Sequence, residues 1–126
     1  MIDVRKQIDY WRNGASEERE LAGELFASGR TRHGLFFLHL TLEKIIKAHV
    51  CRKIGDIAPR DHNLLRLVEK AMLPVSEEDR SFLASMTRFN IEGRYPGSYD
   101  EIPSAAAVEK IRHNSERIYK WLLEQL

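Results

Sequence analysis

The sixteen residues LFFLHLTLEKIIKAHV, positions 35–50, constrain the fold more than any other stretch of the chain. Wound at 3.6 residues per turn, they place apolar side chains on nearly every side of a helix, interrupted only by Glu43, Lys44 and Lys47. The run falls short of the ~20 apolar residues that cross a bilayer, and it carries charges. A helix of this kind has to be packed from several directions. It is therefore expected at the centre of a helical bundle, with apolar surface left over for a subunit interface.

The flanking sequence supplies the other helices. Val4, Ile8, Trp11, Ala15, Ala22 and Leu25 recur at alternating steps of four and three, with Glu18 as the polar member of the stripe. This spacing predicts an amphipathic helix over residues 3–28, weakened at Gly14, where a bend is allowed, and stopped by Gly29. The central helix is predicted over 31–52. After Pro59, Asp61 is the expected cap of a third helix, HNLLRLVEKAM. Ser76-Glu77-Glu78-Asp79, behind Pro74, reads as the start of a fourth helix reaching about residue 92. Pro96 forces an end to that helix, and a last one begins near Ser104. No strand pattern, repeat or low-complexity segment interrupts this series. The expectation is an all-α, up-and-down bundle of about five helices in one domain, 1–126, with two long helices forming its core hairpin.

Composition excludes several classes of function. A net charge of +1 offers no global field for nucleic acid, so such a role has to rest on a local cluster. The single cysteine, Cys51, makes neither an internal disulfide nor a cysteine metal site, and the N-terminus has no apolar leader. A reducing, cytoplasmic setting without a membrane is expected. His39 and Glu43, four apart, supply two possible metal ligands, but no third follows at a recognisable spacing. There is no phosphate loop and no nucleophile elbow, and nothing calls for a cofactor.

Two places remain as candidates. Glu43 and Lys44 are charges in an apolar helix and need partners; an i,i+4 pair of Glu43 with Lys47 answers this simply. The second place is RFNIEGRYPGSYD, residues 88–100. There Arg94 has the planar donors suited to phosphate, while Tyr95 and Tyr99 have faces on which a base stacks. The same residues also suit a connector in which Arg94 pairs with Asp100 or Glu101 and Tyr95 packs on the bundle.

Three segments in order resemble one family. HLTLEKIIKAHV is similar to the helix-two signature of HEPN domains, H-Q-A-A-E-K-x-x-K-A, and HNLLRL resembles the H-D-L segment that opens their third helix. FNIEGRYP resembles the R-Y-P element after their fourth, and Tyr10-Trp11 with ELFASGRTRHGLFFLHL suits their first hairpin. The resemblance implies a helical bundle, usually a homodimer, in a nucleotide- or RNA-associated system. It also implies a minimal nucleotidyltransferase partner in a toxin–antitoxin-like gene pair. On this reading Arg94 contacts phosphate and Tyr95 stacks or positions it. Lys44 and Lys47 add positive potential, and Glu43 orients one of these cations.

Catalytic members of the family are metal-independent RNases carrying R-x4-6-H. Here no histidine follows Arg88 or Arg94 within reach. Arg32 and His39 fit the spacing, but at the start of helix two. A binding subunit is therefore the leading expectation, with an RNase toxin and a ligand-free structural adaptor as alternatives.

Overall fold

The computed structural model describes residues 2–90 and 102–126. Five α-helices follow one another: α1 (Val4–Ala27), α2 (Thr31–Ile54), α3 (Leu64–Ala71), α4 (Glu77–Met86) and α5 (Ala105–Glu124). A 3₁₀ turn, Thr87–Phe89, extends α4. No strand occurs among the described residues, so the chain is an all-α bundle.

Short caps set most of these boundaries. Asp3, Asn63, Ser76 and Ser104 each accept a backbone N–H three residues on, starting α1, α3, α4 and α5. Asp61, the expected cap of α3, is occupied elsewhere. Its carboxylate accepts the Asn63 N–H and holds the Arg66 guanidinium, which leaves the capping position to Asn63. Gly29 and Gly55 turn left-handed after α1 and α2, and Gly55 carries α2 two residues past its expected end. The α-helical part of α4 stops at Met86, earlier than its acidic start and apolar pattern suggested, because the chain tightens into the 3₁₀ turn that buries Phe89.

The hairpin of α1 and α2 is the framework, and α3, α5 and the 3₁₀ turn also pack on α2. Leu42, Ile45, Ile46 and Val50 are wholly buried there with Leu64, Leu67, Leu83, Ile118 and Leu122. Burial of each such side chain contributes about 1.5–3 kcal/mol. A second cluster of Ile8, Ala48 and Cys51 closes the other end of the hairpin, with Trp11 against it. One chain thus covers nearly the whole circumference of α2 between Leu38 and Cys51. The surplus apolar surface expected there for an interface is consumed within the subunit.

The α1 helix runs unbroken through Gly14. A Cβ at that position would lie 3.1 Å from Lys44 Cδ, so the glycine lets the lysine stem cross α1. Among the described residues, no helix is long and apolar enough to cross a membrane.

Candidate functional site

Two of the segments singled out in the sequence meet in space around Glu43. Helical spacing puts His39, Glu43 and Lys47 on one face of α2, and that face is turned inward. Lys47 Nζ donates to Glu43 Oε2 at 3.0 Å, and the ammonium lies 4.9 Å from the Trp11 ring centroid. Both partners are almost fully buried. A buried pair of this kind gains from its mutual attraction but loses hydration, and removing one member leaves an uncompensated charge.

The other ligand of Glu43 comes from the connection between α2 and α3. His62 Nδ1 stands 3.0 Å from Glu43 Oε2, while 53% of the His62 side chain is exposed. An ionised carboxylate only accepts, so Nδ1 carries the proton and Nε2, on the far edge of the ring, is left for other partners. The turn that delivers His62 is fixed just beside it. The Asp61 N–H donates to Pro59, and the Asp61 carboxylate is held well below the usual range by the Arg66 guanidinium. Lys47, Glu43 and His62 therefore form a chain of charge-assisted contacts running from the Trp11 ring to the surface.

His39 lies one turn before Glu43 and is fully buried. Its Nδ1 is 3.8 Å from Glu43 Oε1, too far for a hydrogen bond, and among the described residues both ring nitrogens and Glu43 Oε1 lack hydrogen-bond partners. Burial, opposed by the Glu43 charge, pushes the His39 pKa down and so favours the neutral ring. A histidine enclosed in this way presents nothing to an RNA strand. The Arg32 and His39 spacing is therefore not an exposed catalytic pair.

The remaining sequence candidates divide clearly. Lys44 reaches across α1 to Glu18 at 2.8 Å, which accounts for the polar member of the α1 stripe. Arg94, Tyr95 and Tyr99 lie outside the described residues. His49 is structural, its Nε2–H donating to the Leu122 carbonyl at 2.8 Å. Among the described residues no group of His, Cys, Asp and Glu side chains is arranged to hold a metal. At Glu43 the Lys47 ammonium already stands where a cation would be needed.

His62 is the residue the spacing did not single out, because nothing along the chain connects it with Glu43, nineteen residues earlier. The signal available was that the helix-two and third-helix segments each carry a histidine within a resembling motif.

The family model of the HEPN domain matches residues 8–126. The chain belongs to the HEPN family. No curated protein and no solved structure matches it. The HEPN match spans nearly the entire sequence, and it sets the Glu43 cluster within a nucleotide- and RNA-related family.

Proposed function

We propose that this HEPN domain is a nucleotide- or RNA-binding subunit, acting as a homodimer with a nucleotidyltransferase-fold partner in a toxin–antitoxin-like pair. The observation that carries the reading is the Lys47–Glu43–His62 chain, which holds a half-exposed imidazole in one orientation at the surface. Lys47 and Lys44 are satisfied by carboxylates inside the bundle, so their part is to fix Glu43 and the α1–α2 hairpin. Glu43 orients Lys47 and His62 together. His62 donates to or accepts from the nucleotide, Arg94 contacts its phosphate, and Tyr95 stacks on a base or positions Arg94.

Thermal shift with nucleotides and short single-stranded RNA tests this directly. A ligand at about 100 Kd stabilises by roughly 2.7 kcal/mol, ample for detection. Arg94→Ala and His62→Ala are expected to remove the phosphate-dependent part of the ligand effect while changing the unliganded melting temperature little. Arg94→Lys recovers part of it, because charge remains but the bidentate geometry is lost. Wild-type protein indifferent to every nucleotide and RNA would sink the reading. So would an Arg94→Ala variant that melts far lower without ligand. Failure of the adjacent gene product to co-purify with the chain would remove the partner.

One observation favours a second reading as a metal-independent RNase. A carboxylate that orients a partly exposed imidazole is a common arrangement for general acid–base chemistry. Cleavage that persists in chelator and disappears in His62→Ala would make this the correct reading instead.

A further inference from the structure

On the other side of α2 from Glu43, a groove of about 550 Å³ opens between α1, α2 and α5. Thr41 faces it, two residues and so roughly 200° around the helix from Glu43. Its size suits a nucleoside-sized molecule.

The walls carry two guanidinium groups, each backed by an aromatic ring. The Arg19 guanidinium lies 5.3 Å from the Tyr119 ring centroid, and that of Arg112 lies 4.4 Å from Phe26. Glu116 fixes Arg19 with a bond of 2.6 Å from Nε, and Glu109 stands 3.6 Å from Arg112. With Glu20 also on the rim, three carboxylates face two guanidinium charges among the described residues. That balance disfavours a polyphosphate. It suits a flat, uncharged ring that stacks on a guanidinium face and donates N–H groups to carboxylates.

Two further residues have no explanation within the fold alone. Ser115 lines the groove, and its buried hydroxyl has no hydrogen-bond partner among the described residues. Gly23 lies inside α1, where glycine is the poorest helix former after proline, yet a Cβ there would meet no atom of the described residues within 4 Å. Packing does not demand this glycine. What its missing side chain does is leave the groove open.

We infer that the α1–α2–α5 groove is a binding site for an amino-bearing purine ring, distinct from the Glu43 site and independent of it. The source is either a free nucleoside or a base unstacked from single-stranded RNA.

Equilibrium dialysis of adenosine and guanosine against the full chain tests the assignment, with ribose 5-phosphate as the control lacking a base. Wild type is expected to bind a purine nucleoside saturably, with Kd below about 1 mM. Gly23→Gln, a good helix former that fills the groove, is expected to weaken binding at least about tenfold while the helix content is kept. Ser115→Ala is expected to weaken it about fivefold, through one lost hydrogen bond, with an unliganded melting temperature unchanged or higher. Loss of nucleoside binding in Gly23→Gln and Ser115→Ala, which lie on α1 and α5 away from Glu43, assigns it to this groove, so failure at the Glu43 site is told apart from failure here. A parallel loss of oligoadenylate binding in Gly23→Gln identifies an RNA base as the occupant. An effect confined to nucleosides identifies the free molecule. The inference is overturned if wild type binds no purine nucleoside, if both substitutions leave binding unchanged, or if ribose 5-phosphate binds as well as adenosine.

Discussion

At the scale of single residues, the protein's most consequential choice is to bury opposite charges on its central helix. Lys47→Met leaves Glu43 enclosed with only His62 to answer it, and is expected to destabilise the fold by about 3–5 kcal/mol. Replacing both partners, Glu43→Gln with Lys47→Met, removes the stranded charge and should restore most of that loss. Urea midpoints of the three proteins decide the matter; equal stability of the single and double variants would contradict it. Two buried histidines add a pH dependence. Desolvation lowers the pKa of His39 and His49, partly offset by Glu43 and by the Leu122 carbonyl respectively. Below their ordinary value of about 6.5 the unfolded chain takes up protons that the folded chain does not, so stability is lost as pH falls. Each histidine contributes a slope of up to about 1.4 kcal/mol per pH unit. Denaturation at pH 7.5 and 5.5 should show this drop, and His49→Gln should reduce it. A flat or rising stability on acidification would refute the assignment.

At the scale of elements, the helices were legible because their signals are local. The α1 stripe, the serine caps of α4 and α5 and the Gly29 stop all act within one or two turns. The α3 cap was misplaced because Asp61 and Asn63 compete for the same donors, and the Arg66 guanidinium decides between them. The site was half legible. An i,i+4 pair of Glu43 with Lys47 follows from helical spacing, whereas contact with His62 depends on how a connecting segment folds back over nineteen residues. Met72 ends α3 in the left-handed region, with φ of 53°, where a side chain is strained, and it is largely exposed. Met72→Gly should therefore stabilise the protein by about 1 kcal/mol, read as a higher melting temperature. A lower one would mean that the methionine side chain has a packing role outweighing its backbone strain.

At the scale of the whole molecule, the proposed homodimer has to use a face other than the middle of α2, which its own chain already covers. Light scattering is expected to give about twice 14.7 kDa. A monomer at high micromolar concentration would remove the dimer from the proposal. The ties of α5 have a different consequence. Its end is fastened to α2 by His49 to the Leu122 carbonyl and Arg52 to the Gln125 carbonyl, and its middle to α1 by Arg19 to Glu116. These partners are 73 to 97 positions apart along the chain, whereas α1 and α2 are joined by a three-residue turn. Closing the long loop is the slower and entropically heavier step. The hairpin is thus the part that assembles first and opens last, and α5 is a latch fitted afterwards. Native-state hydrogen exchange should find the α5 amides released in a partial opening while those of α2 wait for global unfolding; simultaneous release of both would mean the molecule has no such latch.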